Sequence, residues 1–129
     1  MTSEHRTFGG PNRFPAVYPA AMDAFELADL LARREADGRA YLEFLKVPDL
    51  SVGLYVLTPG QPDLQHPHTE DEVYCVLAGA ARITVGDEVR DVRTGSIVFV
   101  AAGVPHRFHD IAEELRLLVA FGPAEYSRA

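Results

Sequence analysis

Two of the five histidines in this chain, His66 and His68, are separated by a single residue. In an extended strand, side chains at positions i and i+2 point to the same side, so both imidazoles are expected on one face with Pro67 on the other. After the polar stretch 69–71, which is expected to form a turn, Glu72 begins the apolar segment VYCVLAG. A hairpin at this turn returns the carboxylate to the histidines. The stretch therefore predicts a site where two nitrogens and one oxygen bind one metal ion.

Glycines at fixed spacing frame this stretch. The order is Gly60, five residues, His66, one residue, His68, three residues, Glu72, six residues, Gly79. This spacing resembles the first sequence motif of the cupin superfamily at every fixed position.

The second cupin motif is expected after a short interval, and the stretch GSIVFVAAGVPHRFHD at 95–110 resembles it. Gly95 opens this stretch, Gly103 lies in its turn, and Pro105-His106 follows. The resemblance therefore covers residues 60–110 directly and the flanking strands by their pattern.

Two positions depart from the second motif. Ala101 stands where the family usually has proline, which loosens the turn slightly but leaves Gly103 free to adopt a positive φ. Asp110 stands where the motif usually ends in asparagine, a position that serves a turn and not the metal. Neither departure touches a ligand position.

The resemblance implies an all-β fold, an antiparallel jelly-roll β-barrel (cupin) with one N-terminal helix. It also implies that His66, His68, Glu72 and His106 bind one divalent metal ion in the mouth of the barrel. Three imidazoles and one carboxylate suit Fe, Mn, Ni, Co, Cu or Zn, and a six-coordinate ion keeps two positions for water, oxygen or substrate. The choice of metal depends on availability and on the surrounding groups, which motif spacing does not show.

One helix is expected before the motifs. The segment DAFELADLLARREADG has Asp23 and Glu26 spaced as in a capping box, then apolar residues at helical spacing, and Gly38 as a stop. These features predict a helix over 23–37.

An irregular arm is expected at 1–22, where prolines and glycines occur without a clear period. We therefore divide the chain into an N-terminal arm and short helix at 1–40 and a cupin β-barrel domain at 41–129. Cupins often pair through their barrels and exchange N-terminal segments, so the arm and the segment YLEFLKV are expected to join two copies in a homodimer.

Short apolar stretches alternate with turn signals from Tyr41 onward, which is typical of an antiparallel barrel or sandwich. Seven or eight strands fit this part of the chain, with VYCVLAG and ARITVGD counted as separate strands. Gly86-Asp87 and Thr94-Gly95 are expected to form turns between them.

The same strand periodicity predicts which side chains line the cavity. Tyr74 and Val76 share the parity of Glu72, and Phe108 shares that of His106. With aromatic neighbours, the expected lining set is Tyr55, Tyr74, Val76, Phe99 and Phe108. A mainly apolar pocket around a metal favours a small, partly hydrophobic substrate with an oxygen chelating group.

Other reactive residue types are expected to lie outside the site. By strand parity, His109 and Cys75 face away from the ligands, which makes Cys75 a buried structural thiol. His5 lies in the arm. Arg82 and Arg93 offer a carboxylate clamp, but an arginine on an antiparallel barrel more often lies on its wet outer face.

Composition narrows the class of protein. With 129 residues, 47% of them hydrophobic, the chain is expected to form one globular unit of ordinary size. The net charge of −7 makes nucleic acid a poor partner. No apolar run resembles a signal peptide or a membrane span, so a cytoplasmic location and no membrane partner are expected.

The leading functional hypothesis is a metal-dependent oxidoreductase of the dioxygenase type, acting on an enolic or phenolic small molecule. The metal would lower the pKa of the substrate hydroxyl, and Glu72, the expected catalytic residue, would alternate between ligand and base.

Two alternatives remain open: a metal-dependent isomerase or lyase that uses no oxygen, and a module that binds a small ligand without turnover. A DNA-binding regulator is disfavoured because the single helix has no companion recognition helix. The complete ligand set argues against cupins of the sugar-epimerase type, which work by an acid/base pair instead of a metal.

Overall fold

The computed structural model describes residues 21–128. In chain order they form one helix and six strands: α1 Leu27–Asp37, β1 Tyr41–Val47, β2 Leu50–Leu57, β3 Asp71–Val85, β4 Glu88–Arg93, β5 Ile97–Val100 and β6 His106–Gly122. All pairs of these strands are antiparallel, which confirms the predicted all-β jelly-roll class with one helix. The predicted arm lies almost entirely outside the described residues.

The two longest strands, β3 and β6, pair with each other and organise the sheet. The strand order is β1-β2-β6-β3-β4, and β5 also pairs with β3. Residues 72–75 of β3 pair with β5, whereas residues 80–85 pair with β4. Since one strand carries both groups of partners, the sheet wraps around a shared interior.

Both long strands continue through bends, at Gly79 in β3 and at Asp110 in β6. At Gly79, φ is +101°, and a Cβ there would collide with the carbonyl oxygen of Glu114 on β6. At Asp110, φ is +49°, a left-handed conformation in which Asp and Asn are enriched among non-glycine residues. VYCVLAG and ARITV are therefore one strand, and the prediction of seven or eight strands is wrong for the described residues.

The two predicted turns are present. Gly86 and Asp87 connect β3 to β4, with Val85 paired to Glu88 at the end of the ladder. Thr94-Gly95 forms the turn between β4 and β5.

Apolar side chains pack in two clusters on opposite sides of β2. The larger cluster fills the barrel and includes Tyr74, Ile83, Phe108 and Leu117. In the smaller one, Leu30 of α1 packs with Leu54 and Val56. The helix therefore covers the outside of the sheet next to the N-terminal strands.

The helix is shorter than predicted. It begins at Leu27, and Glu26 in the N-cap position is extended and makes no side-chain capping bond, so the predicted capping box is not formed. Gly38 ends the helix with φ of 80°, as expected for a left-handed C-terminal residue. Within residues 21–128, no helix has the length and apolar character needed to cross a membrane.

Candidate metal centre

The structure brings His68, Glu72 and His106 together inside the barrel. Their exposed fractions are 6, 2 and 8%, and one donor atom from each lies within 4.8 Å of the others. His106 Nε2 is 2.8 Å from Glu72 Oε1, and His68 Nδ1 is 3.3 Å from the same oxygen. Three of the four predicted ligands therefore converge on one point.

Strand parity and one turn position Glu72 and His106. In β3 the side chain of Glu72 is buried, whereas those of its neighbours Asp71 and Val73 are exposed. His106 is the first residue of β6 and follows the turn in which Gly103 adopts φ of 79°, as predicted. The Gly103 amide donates a hydrogen bond of 2.7 Å to the carbonyl oxygen of His68, which connects the two motifs.

The segment that carries the first two histidines is not a strand. Residues 61–68 have no regular secondary structure, so the rule that residues i and i+2 share a face does not apply to them. His68 is buried, whereas His66 is exposed and lies on the cavity wall, outside the cluster of three. The expected strand is wrong, but both histidines line the same cavity, and the role of His66 as a ligand stays a prediction.

The cluster has the chemistry expected of a metal site. His68 Nδ1 and both carboxylate oxygens of Glu72 are buried without a hydrogen-bond partner, a costly arrangement in a protein interior. Adjacent ligands of an octahedral ion at about 2.1 Å lie about 3 Å apart, close to the 2.8 and 3.3 Å observed. A divalent cation would satisfy all three atoms at once.

The outer nitrogens of the two histidines have different partners. His106 Nδ1 lies 2.8 Å from the carbonyl oxygen of Val104, which only accepts, so this nitrogen carries a proton and Nε2 is left for a metal. His68 Nε2 lies 3.0 Å from Oε2 of Glu125. Glu125 comes from the turn after β6 and was not anticipated from the sequence.

These contacts shift the pKa values of the cluster. Burial opposes charge on His68, but the carboxylates of Glu125 and Glu72 outweigh burial and raise the pKa of His68 to about 9. Burial is likewise outweighed in His106, chiefly by Glu72, and its pKa is raised. Burial would raise the pKa of Glu72, yet His106 and His68 lower it below the ordinary value. A metal therefore competes with protons for these atoms.

A cavity of about 310 Å³ adjoins the cluster. Its walls carry four of the five tyrosines of the chain together with apolar side chains: Tyr41, Tyr55, Tyr74, Tyr126, Leu57, Leu64, Val119 and Phe121. Among the residues that the structure describes, those lining the cavity include no lysine or arginine.

The five predicted pocket residues fall into three groups. Tyr55 and Tyr74 line the cavity. Val76 and Phe108 face inward, but they are 2 and 1% exposed and belong to the packed core. Phe99 is 61% exposed because it alternates with the inward-facing Val98 and Val100 on β5, so its predicted place in the pocket is wrong.

Asp63 holds the loop that carries the histidines. Its Oδ1 accepts a hydrogen bond of 2.6 Å from the hydroxyl of Tyr55, and its Oδ2 accepts from Gln65 Nε2 and from the amide of Phe108. These bonds join the loop to β2 and β6. No spacing rule in the sequence identifies this anchor, because its partners come from distant elements.

Glu70 holds the turn that follows β6. It is 1% exposed, and its carboxylate accepts hydrogen bonds from the amides of Tyr126 and Arg128 and from the hydroxyl of Thr69. Burial would raise the pKa of Glu70, but these hydrogen bonds lower it. From its position in the polar stretch 69–71, Glu70 was expected only to form part of a turn, so this anchoring role was not predicted. The available signal in the sequence was that two glutamates, Glu70 and Glu72, flank Asp71.

The remaining candidates lie away from the cluster. Cys75 faces opposite to the site, as predicted, but is only half-buried. His109 contacts Thr84 and Asp110. Arg82 is exposed, with Asp91 as its partner, and Arg93 is exposed as well. His5 lies outside the described residues.

A jelly-roll barrel with a histidine–glutamate–histidine cluster inside it is the architecture of a cupin. The chain belongs to this family: the model of the Cupin_2 family, described as Cupin domain, matches residues 53–121.

Three proteins illustrate the similarity. The chain is 54% identical over 104 residues to the uncharacterized protein SCO3923 of Streptomyces coelicolor, covering 81% of this chain and 99% of that one. The crystal structure of TT1209 from Thermus thermophilus is similar with a TM-score of 0.68 and 31% identity, over 80% of this chain and 99% of that one. The DMSP lyase DddQ from Ruegeria pomeroyi DSS-3 is similar with a TM-score of 0.55 and 26% identity, over 59% of this chain and 39% of that one.

Proposed function

We propose that this protein is a metal-dependent cupin enzyme that acts on a small organic molecule, with oxygen-dependent chemistry of the dioxygenase type as the first candidate. The observation that carries the proposal is the buried cluster of His68, Glu72 and His106 beside the cavity. Unpartnered buried donor atoms at one point are costly for stability and are therefore indicative of function.

The three clustered side chains would hold one divalent ion. When bound, the ion supplies Lewis acidity that lowers the pKa of a substrate hydroxyl and, if it is redox-active, couples the substrate to oxygen. The carboxylate of Glu72 contributes negative charge and can accept the proton of that hydroxyl. The hydroxyl of Tyr74 lies 3.1 Å from His106 Nε2 and donates a hydrogen bond to Gln65 Oε1. Tyr74 is therefore a neutral hydrogen-bonding group beside the cluster.

The cavity favours a neutral or weakly acidic substrate with a flat apolar part. Its tyrosine rings provide apolar faces, and its described lining residues include no lysine or arginine to pair with a carboxylate or phosphate. A phenol or enol meets these requirements.

A lyase or isomerase that uses no oxygen is the second candidate. The similarity to a protein described as a DMSP lyase supports it. So does the carboxylate of Glu72 in the cluster, since it can accept a substrate proton.

Oxygen uptake separates these candidates. Protein reconstituted with Fe(II) is incubated with a panel of enols and catechols, while oxygen and substrate are both recorded. We expect uptake that requires metal and substrate, is lost in His106→Ala, and is retained in His109→Ala, a histidine on the same strand outside the cluster. Conversion without oxygen uptake would favour the lyase or isomerase, and metal and ligand binding without conversion would contradict an enzymatic function.

A further inference from the structure

We infer that Glu125 is a positioning residue for the metal centre: it accepts a hydrogen bond from the Nε2–H of His68 and so presents His68 Nδ1 to the ion. This inference rests on the proposed metal-dependent function. It adds to the cluster a residue from the turn after β6, which lies beyond the matched cupin domain at 53–121.

The two nitrogens of His68 face different carboxylates. Nε2 is 3.0 Å from Glu125 Oε2, whereas Nδ1 is 3.3 Å from Glu72 Oε1 and has no hydrogen-bond partner. Glu125 is not among the residues whose donor atoms converge within 4.8 Å. It therefore lies on the far side of the imidazole from the cluster, where an outer partner of a metal-binding histidine belongs.

Glu125 is held in place by its backbone. The Glu125 amide donates a hydrogen bond of 2.8 Å to Ser51 Oγ, and Ser51 is fully buried. The next residue, Tyr126, has φ of 62°, which is unusual for an aromatic side chain, and its amide donates to the buried Glu70. The Glu125 side chain is only 14% exposed. The contact with His68 is thus part of a fixed turn and not a chance meeting of surface side chains.

The rings of neighbouring aromatics keep His68 in this orientation. The Phe121 ring centroid lies 4.7 Å from that of His68, and the Tyr126 ring centroid lies 5.4 Å away. Tyr126 adjoins Glu125, so the same turn supplies both the carboxylate and one packing face.

A carboxylate has a different effect from the carbonyl oxygen that serves His106. An imidazole binds a cation through one nitrogen when its proton is on the other, and a negatively charged acceptor makes the ring a stronger donor. His68 is therefore the more strongly donating imidazole of the pair. Together, the carboxylates of Glu72 and Glu125 balance the charge of a divalent ion.

Cobalt binding tests this inference without requiring any turnover. Co(II) is titrated into the full-length wild type, Glu125→Ala and Glu125→Gln, with affinity measured against a competing chelator and the visible Co(II) spectrum recorded. We expect Glu125→Ala to weaken binding by about 10–100-fold and to shift the spectrum. Glu125→Gln, which keeps an acceptor oxygen but loses the charge, should weaken it less. Glu113→Gln, an exposed glutamate on β6, is the matched control.

The outcomes separate this inference from the function on which it rests. If the wild type binds no Co(II), the metal-dependent function itself fails. If the wild type binds and both Glu125 variants keep its affinity and spectrum, only the role of Glu125 is overturned. Thermal unfolding without cobalt identifies a merely structural effect, since equal destabilisation of Glu125→Ala and Glu125→Gln with unchanged spectra would also overturn it.

Discussion

Two histidines of one loop have contrasting surroundings. His68 is buried against Glu72 and Glu125, whereas His66 lies exposed on the cavity wall. Their contributions to metal binding should differ accordingly, because a ligand in a fixed position loses less conformational freedom on binding.

Single-histidine variants measure this difference. We expect purified His106→Ala to lose nearly all the metal that the wild type binds, because only the carboxylate of Glu72 and the imidazole of His68 remain in the cluster. His66→Ala should retain metal with an affinity reduced by about tenfold or less. Plasma mass spectrometry of each variant gives the stoichiometry, with His109→Ala as the control. An equal loss in His66→Ala and His106→Ala would place His66 among the buried ligands.

Residue types and spacing could predict Glu72 and His106 because each adjoins or begins a regular strand, where side-chain direction follows position. They could not predict the different surroundings of His66 and His68, since the direction of a side chain in an irregular segment depends on its particular hydrogen bonds. Asp63 supplies those bonds here. Glu125 was also beyond prediction, because its place depends on how the chain turns after β6.

At the scale of elements, the bend in β3 is fixed by a close approach to β6. Gly79 has φ of +101°, and a Cβ there would collide with the backbone of Glu114. Gly60 also has a positive φ, of 82°, but nothing lies within 4 Å of the Cβ position. Comparing the two glycines therefore separates the cost of a left-handed backbone from the cost of steric crowding.

Alanine at each position should therefore have unequal effects. We expect Gly60→Ala to lower the free energy of unfolding by about 1–2 kcal/mol, the cost of a left-handed conformation. Gly79→Ala should lower it by about 3 kcal/mol or more, because the sheet must also move apart. Urea denaturation of both variants measures the two losses. Equal losses would show that the approach of β3 to β6 is not restrictive.

The sequence identifies most of the strands but divides β3 into two. Hydrophobic alternation locates a strand because its period of two depends only on local geometry. It cannot show whether a glycine ends a strand or bends it, since that depends on whether a partner strand continues past it. β6 continues past Gly79, and β3 is therefore one element.

At the scale of the whole molecule, the tyrosines of the cavity couple stability to alkaline pH. Burial, with the hydrogen bond to Asp63, raises the pKa of Tyr55 well above 10, and burial with nearby acids does the same for Tyr41. The unfolded chain releases these protons near pH 10, whereas the folded protein does not. Their stabilising contribution is therefore complete below pH 10 and is lost as the pH rises above it.

The free energy of unfolding should fall above pH 10 by about 1.4 kcal/mol per pH unit for each such tyrosine. Urea denaturation at several pH values measures the slope, and Tyr55→Phe should make it shallower. The ultraviolet absorbance of tyrosinate should rise together with unfolding. Ionisation of Tyr41 and Tyr55 near pH 10 with the fold intact would contradict this expectation.

The predicted homodimer and the cytoplasmic location stay predictions.

The pairing of β2 with β6 sets an order of events during synthesis. Ser51 pairs with Phe121 and accepts a hydrogen bond from the amide of Glu125. The early strand β2 can therefore pair fully only after residues about 70 positions later have been synthesised. Until those residues leave the ribosome, β2 and β3 both lack β6, the strand that lies between them. Such unpaired strand edges are prone to incorrect pairing and aggregation. The nascent chain thus contains Glu72 and His106 before anything holds them together. The proposed metal site can therefore form only after translation has passed β6.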